Sequence, residues 1–146
     1  MKRIVTDASI VLKWYLADEE YGQKALRILD KYISNELDIL APSLLEYEVI
    51  NELIIAKKRG RIQEKKLLLG IDGFASLELK LINFSLYYPK VIHYCKVYDL
   101  SAYDASYLAL ADEENIPFVT ADKGIHNVTK KELKWVEWLG DFNLSE

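Results

Sequence analysis

The stretch RIVTDASIVLKWY, residues 3–15, sets the α/β pattern of this chain, because a strand gives way to a helix around a single acid. Residues 4–6 predict a short β-strand, and the run from Ser9 to Leu16 predicts a helix. Asp7 lies between them. An aspartate at such a junction is commonly a simple helix-start residue, so its role depends on which other residues reach the same place.

Strands and helices alternate along the rest of the chain. Further strands are predicted at residues 37–42, 79–84, 116–122 and 133–139. Further helices are predicted at residues 21–33, 44–58, 62–77, 89–98 and 101–115, with Ser43 and Ser101 as N-caps of helices 44–58 and 101–115. This alternation indicates a three-layer α/β/α fold with a central parallel sheet of about four or five strands. We expect residues 1–146 to form a single domain.

The composition is typical of a globular protein, with 51% hydrophobic and 29% charged residues. No apolar run is long enough to span a bilayer, and the N-terminal segment is too short for a secretory leader. The one cysteine, Cys95, cannot form a disulfide within the chain. We therefore expect a cytoplasmic protein with no membrane contact. The net charge of −4 is unlike that of typical nucleic-acid-binding domains, without excluding a locally arranged site.

Four acids belong to four different predicted elements. Asp7 follows one predicted strand, Asp122 is the last residue of another, Asp104 lies in the first turn of a predicted helix, and Glu48 lies on another helix. Each has an ordinary structural interpretation: Asp104 as part of an S-x-x-D helix start, Asp122 as the start of the turn ADKG, and Glu48 on a solvated stripe. Because ligands bind beyond the carboxyl ends of parallel strands, we expect the four carboxylates to converge at one edge of the sheet.

Four carboxylates brought close together need a cation to neutralise their negative charge. Carboxylates packed close together raise one another's pKa, and no run of basic residues lies beside them in the sequence. A divalent metal relieves this repulsion, and an oxygen-only donor set is typical of Mg²⁺ or Mn²⁺ rather than of zinc. His93 and His126 lack the spacing of metal ligands. The pattern therefore predicts a site for Mg²⁺ (or Mn²⁺).

Four motifs resemble, in order and spacing, those of PIN-domain nucleases: VTDASIVLKWY, APSLLEYEVINEL, LSAYDASYLALA and FVTADKGI. The chain length is similar to that of a single PIN domain of the VapC-type toxins. The resemblance favours Glu48 over Glu46, for which Ser43 offers a capping-box partner. Residues 60–97 carry no such motif. The resemblance implies a catalytic, metal-binding quartet at Asp7, Glu48, Asp104 and Asp122, with supporting residues at Ser9, Asn51 and Thr120.

The predicted activity is metal-dependent endoribonucleolytic hydrolysis of RNA phosphodiester bonds. Metal ions held by carboxylates activate water and stabilise the leaving oxygen, so no general-base histidine is required. We predict Asp7 and Asp104 as the principal metal ligands. Glu48 is predicted as a further ligand or as the group that orients the attacking water, and Asp122 as the residue that completes the site. The choice of RNA over DNA is implied by the resemblance alone.

The charge outside the quartet is compatible with a polyanionic substrate, because the remaining residues sum to zero once the four acids are set aside. Six basic residues lie between positions 57 and 66. They either hold the phosphate backbone or form an ordinary solvated helix end with cations at its C-terminus.

The resemblance further implies the toxin of a toxin–antitoxin pair, a cognate antitoxin that occupies the acidic cleft, and a homodimer. Trp14, Tyr15 and Tyr21 are candidates for the antitoxin groove, although aromatic residues are more commonly core residues. Two alternatives stay open: a housekeeping RNA-processing PIN nuclease without antitoxin, and a non-catalytic PIN scaffold, which the intact quartet disfavours. A dinucleotide-binding domain is excluded because no glycine-rich turn follows the first strand.

Overall fold

A computed structural model describes residues 1–16 and 18–144 of the chain. The strands found there are β1 (Lys2–Thr6), β2 (Leu37–Pro42), β3 (Lys80–Ile82), β4 (Phe118–Thr120) and β5 (Val136–Trp138). Within these described residues they form one five-stranded sheet in the order β3-β2-β1-β4-β5, and every pairing is parallel. The chain therefore winds outward from β1 first to one side and then to the other, which makes the β1–β4 junction the topological switch point of the sheet.

Seven α-helices connect and flank these strands in the described ranges. They are α1 (Ala8–Tyr15), α2 (Gly22–Ile33), α3 (Leu45–Lys58), α4 (Glu64–Ser76), α5 (Tyr88–Tyr98), α6 (Ala102–Glu114) and α7 (Lys123–Thr129). Single 3₁₀ turns at Phe84–Leu86 and Leu139–Asp141 complete the regular structure. None of the helices in the described residues combines the length and apolarity needed to span a membrane.

The central strands are apolar because both faces of the sheet are covered. Ile4 and Val5 of β1, Ile39 of β2, and Phe118 and Val119 of β4 are fully buried. A parallel sheet covered on both faces is expected to have near-continuous apolar strands instead of alternating ones. The apolar runs that predicted these strands are therefore the centre of the core.

The helices form two groups. Helix α1 packs against α2 and α3, and α3 packs against α4. Helix α5 packs along α6, which also contacts β1, β2 and β4. The result is a three-layer α/β/α arrangement around a parallel sheet, so the predicted fold class is confirmed.

Several predicted element boundaries are wrong. The strand predicted at residues 79–84 pairs only over Lys80–Ile82, and the one at 133–139 pairs only over Val136–Trp138. Helix α7 begins at Lys123, inside the predicted turn ADKG, and continues to Thr129 through a segment for which no helix was predicted. Edge strands pair with a single neighbour, and the extended pattern of a sequence does not report how many of its residues find that neighbour.

The predicted capping box of Ser43 and Glu46 is also wrong. Helix α3 begins one residue later than predicted, with Leu44 at the N-cap position and no side-chain cap hydrogen bond. The Ser43 hydroxyl instead donates to the Asn83 side-chain oxygen at 3.1 Å, just beyond the end of β3. A contact across the carboxyl edge of the sheet has therefore replaced a local cap.

Two glycines within α4 lie beside Tyr15. A Cβ at Gly70 would lie 3.4 Å from the Leu53 side chain and 3.7 Å from the Tyr15 ring, and one at Gly73 would lie 3.4 Å from the same ring, which are ordinary van der Waals distances. Helix α4 therefore packs against Tyr15 along this face. Tyr15 is thus committed to a helix contact, and Trp14 is buried with its indole N–H donating to the Ala25 carbonyl at 2.8 Å.

Candidate active site

Asp7 and Asp122 lie at neighbouring carboxyl ends of the sheet. Asp7 follows β1 and Asp122 comes two residues after β4, and the two strands pair in parallel with Thr6 opposite Val119. Asp7 occupies the N-cap position of α1 but makes no cap hydrogen bond with its side chain. The ordinary helix-start role therefore does not account for the Asp7 carboxylate.

The other two acids arrive from helix N-termini. Glu48 lies in the first turn of α3, and Asp104 lies in the first turn of α6. The Ser101 hydroxyl accepts a hydrogen bond from the backbone N–H of Asp104 at 3.1 Å, so the predicted cap of α6 is confirmed. Helix N-termini carry partial positive charge, which favours carboxylates at both positions.

Asp7 is buried and held by two hydroxyl groups. Its side chain is only 5% exposed. The Ser9 hydroxyl donates to one carboxylate oxygen at 2.5 Å, and the Thr120 hydroxyl donates to the other at 2.6 Å. Burial raises the pKa of Asp7 to about 7, the two hydroxyl groups oppose this shift, and the charges of Asp122 and Glu48 add to it. The structure thus holds a carboxylate where its ionised form is disfavoured.

The two hydroxyl groups also join the start of α1 to the segment after β4. The Ser9 hydroxyl oxygen accepts from the backbone N–H of Ala121 at 2.9 Å. The Thr120 hydroxyl oxygen accepts from the backbone N–H of Asp122 at 3.0 Å. Each hydroxyl therefore donates to Asp7 and accepts from the backbone that leads to Asp122, which fixes the relative position of the two acids.

Glu48 has a hydrogen-bond donor that the sequence analysis missed. The hydroxyl of Tyr107, from α6, donates to Glu48 Oε1. Burial raises the pKa of Glu48, the bond from Tyr107 opposes the shift, and the charges of Asp104, Glu52 and Asp122 add to it. The available signal in the sequence was helical spacing, because Tyr107 lies three residues after Asp104 on the same face of α6.

Asp122 connects the four acids electrostatically. Its charge raises the pKa of Asp7, of Glu48 and of Asp104, in each case after the larger effect of burial. The Asp122 side chain also caps α7, accepting from the backbone N–H of Ile125 at 3.0 Å. The predicted turn-forming role of Asp122 and its place in the acid cluster are therefore compatible.

No basic side chain neutralises the cluster in the part of the chain that the structure describes. Asp7, Glu48, Asp104 and Asp122 form no ion pair there. Asn51, predicted as a supporting residue, is exposed, and its side chain has no hydrogen-bond partner among the described residues. The contacts therefore join Ser9 and Thr120 to the cluster and do not join Asn51 to it.

The basic segment at residues 57–66 is partly neutralised by its own surroundings. Arg61 pairs with Asp18 at 2.9 Å and with Glu19 at 3.4 Å, and Lys57 pairs with Glu64 at 3.3 Å. Exposed ion pairs of this kind contribute little to stability. They nevertheless reduce the positive charge that this surface presents to an RNA backbone.

The cluster fits a divalent metal in charge and donor chemistry. Its donors are carboxylate oxygens, which suit Mg²⁺ or Mn²⁺, and a carboxylate offers about four acceptor sites. The hydrogen bonds described above therefore leave every acid able to ligate. As placed in residues 1–16 and 18–144, no group of three or more His, Cys, Asp and Glu side chains is arranged to hold a metal ion.

Fold and site together define a class of protein: a three-layer α/β/α domain with four electrostatically coupled carboxylates at the switch point of a parallel sheet. The family model described as the PIN domain matches residues 4–131. The chain belongs to the PIN domain family, and PIN domains are generally nucleases.

Three solved structures are similar to this chain in fold. PAE2754 from Pyrobaculum aerophilum has a TM-score of 0.68 at 20% identity, over 95% of this chain and 85% of that one. VapC20 from Mycobacterium tuberculosis, described as a Sarcin-Ricin loop cleaving toxin, has a TM-score of 0.61 at 13% identity, over 92% and 98%. FitAcB from Neisseria gonorrhoeae has a TM-score of 0.59 at 14% identity, over 96% of each chain. The search of curated proteins gave no match.

Proposed function

We propose that this chain is a metal-dependent endoribonuclease that hydrolyses RNA phosphodiester bonds. The observation that carries the proposal is the electrostatic coupling of Asp7, Glu48, Asp104 and Asp122, without an ion-pair partner in the described residues. Membership of the PIN domain family supports nuclease activity. The description of VapC20 as a toxin that cleaves the Sarcin-Ricin loop supports RNA as the substrate.

Each of the four acids has a separate role in this proposal. Asp7 and Asp104 are the principal ligands of Mg²⁺ or Mn²⁺, Glu48 is a ligand or orients the attacking water, and Asp122 completes the site. A bound divalent ion supplies an activated water and stabilises the charge on the leaving oxygen. Ser9 and Thr120 hold the Asp7 carboxylate by donating to its two oxygens. Asn51, exposed on α3 one turn beyond Glu48, is proposed to support the site from the solvent side.

We further propose that the chain is the toxin of a toxin–antitoxin pair, with a cognate antitoxin that covers the acid cluster. VapC20, to which the fold is similar, is itself described as a toxin. Of the aromatic residues considered for the antitoxin groove, Trp14 is buried and Tyr15 packs against α4. Tyr21 is 36% exposed and stacks edge-on against Trp138, so it is the member of this set that a partner can reach.

The activity is tested by incubating the purified chain with single-stranded RNA in Mg²⁺, in Mn²⁺ and in EDTA. We expect endonucleolytic cleavage with either metal, loss of cleavage in EDTA, and recovery when excess metal is restored. A small protein encoded beside this chain, added in equal amount, is expected to suppress the same cleavage. Cleavage that continues in EDTA would contradict metal dependence. Full cleavage in the presence of the neighbouring protein would favour an RNA-processing role without antitoxin.

The proposed homodimer is supported by exposed apolar side chains on and before α5. Phe84, Leu86, Tyr88 and Ile92 are each about half exposed or more, and the Phe84 and Tyr88 rings lie 6.1 Å apart. Exposed apolar patches commonly mark protein–protein interfaces. A second copy of the chain is the proposed occupant.

The variant Ile92→Glu places a charge on this surface and is expected to dissociate the dimer. Light scattering should show a fall from twice the chain mass of 16.9 kDa to that mass. Val128→Glu is the matched control, since Val128 is an exposed apolar residue on α7, which packs against β5 at the opposite edge of the sheet. An unchanged mass for Ile92→Glu, or a monomeric unmodified chain, would contradict the proposed interface.

A further inference from the structure

Tyr107 reaches the acid cluster from inside the core. Its side chain is 1% exposed. The ring stacks on that of Phe118 in β4, with centroids 5.8 Å apart and an interplanar angle of 14°. The hydroxyl donates to Glu48 Oε1, although the two residues are 59 positions apart in the sequence. The aromatic packing therefore fixes the position from which the hydroxyl donates.

The Glu48 side chain, unlike that of Tyr107, is not held in place by core packing. It is partly exposed, near the start of α3, and its long side chain would lose rotamer freedom when held in one place. Among the described residues, Tyr107 is the sole hydrogen-bond donor to its carboxylate. The bond occupies one acceptor site of Oε1 and leaves Oε2 facing no protein donor in the same residues. A neutral donor thus restrains Glu48 without neutralising its charge.

We propose that Tyr107 is a positioning residue that holds the Glu48 carboxylate at the acid cluster and thereby sets the affinity of the cluster for a divalent cation. This inference rests on the proposed metal-dependent function. Tyr107 is not a metal ligand in this scheme and touches no substrate; it acts through Glu48. Groups that orient metal ligands commonly change metal affinity by about 10- to 100-fold when they are removed.

A second tyrosine–carboxylate pair in the same protein provides a matched comparison. Tyr94 of α5 is also buried, and its hydroxyl donates to Asp112 at 2.6 Å on α6. Asp112 lies two turns along α6 from Asp104 and contributes to none of the pKa shifts of Asp7, Glu48 or Asp104. Removing either hydroxyl deletes one partly buried hydrogen bond to an acid, but only Glu48 belongs to the cluster, and Asp112 is also paired with Lys90 at 3.6 Å.

The test is Mn²⁺ binding to the full-length chain, measured by calorimetry and by the electron paramagnetic resonance signal of free Mn²⁺. We expect Tyr107→Phe, which keeps the stacked ring, to weaken Mn²⁺ binding by about tenfold or more. Tyr94→Phe should bind Mn²⁺ as the unmodified chain does. Thermal unfolding of both variants in EDTA separates a loss of stability from a loss of metal affinity.

A double-mutant cycle tests whether Tyr107 acts through Glu48. In a Glu48→Gln background, we expect Tyr107→Phe to produce no further loss of Mn²⁺ affinity, because the positioned ligand is already absent. Mn²⁺ affinity unchanged by Tyr107→Phe, with the unmodified chain binding normally, would overturn this inference and leave the proposed function intact. Failure of the unmodified chain to bind Mn²⁺ would overturn both.

Discussion

The variant Asp104→Asn is expected to lower the rate of Mg²⁺-dependent RNA cleavage by about 100-fold or more. The Asp104 side chain makes no hydrogen bond or ion pair within the described residues. Asparagine has nearly the same shape as aspartate, and the α6 cap uses the backbone N–H of residue 104, so the substitution should leave the cap from Ser101 in place. What is removed is one negative ligand of the proposed metal. A loss of about 3 kcal/mol of transition-state stabilisation corresponds to about 100-fold in rate.

Asp99→Asn is the control for this substitution. Asp99 is exposed and lies just after α5. Its φ of 53° is in the left-handed region, which asparagine adopts readily. We expect its cleavage rate and its thermal unfolding to match those of the unmodified chain. A cleavage rate for Asp104→Asn within twofold of the unmodified rate, in single-turnover assays, would remove Asp104 from the proposed metal site.

The variant Asp7→Asn is expected to abolish cleavage and yet to stabilise the metal-free protein at pH 8. Burial holds the pKa of Asp7 at about 7, compared with an ordinary value of 3.8. This difference corresponds to about 4 kcal/mol against the ionised form in the folded state. Asparagine avoids that penalty but fits the Ser9 and Thr120 hydroxyl groups less well, so we expect a net gain of about 2 kcal/mol.

The pH dependence has a defined sign. Because the folded chain binds the Asp7 proton more tightly than the unfolded chain does, the free energy of unfolding falls as pH rises from about 4 to about 7. The contribution is at most about 1.4 kcal/mol per pH unit. In urea unfolding in EDTA, the free energy of unfolding should therefore fall more between pH 5 and pH 8 for the unmodified chain than for Asp7→Asn.

Two outcomes of the unfolding experiment would contradict this account of Asp7. One is that Asp7→Asn is less stable than the unmodified chain at pH 8 in EDTA. The other is that both proteins have the same pH dependence, in which case Asp7 is not the group that titrates. The exposed Asp99→Asn variant should follow the unmodified chain at both pH values.

The positions of Asp7 and Asp122 were predictable because each lies within two residues of the carboxyl end of a predominantly apolar strand. Such runs report burial on both faces of a parallel sheet. The proximity of the two acids was not contained in that pattern. It follows from the strand order, in which β1 pairs with β4 although more than 100 residues separate them.

The helix that carries Glu48 shows where local reasoning fails. Serine followed three residues later by glutamate is a common helix start, yet α3 begins at Leu45 and the Ser43 hydroxyl bonds to Asn83. The Ser43 hydroxyl therefore bonds to a residue from another element instead of capping its own helix. The hydrogen-bond partner of Glu48 is likewise distant in sequence, because Tyr107 belongs to α6. The residues around Tyr107 are equally consistent with an ordinary core tyrosine.

The amino-acid sequence alone determined the alternation of strands and helices, the acids at the ends of those elements and the motifs shared with PIN domains, because each depends on residues close together in the chain. Only the tertiary structure decided which strands are neighbours, that Asp7 is buried between two hydroxyl groups, and that a core tyrosine holds Glu48. Those features depend on desolvation and on contacts between distant residues, and both exist only once the sheet has assembled.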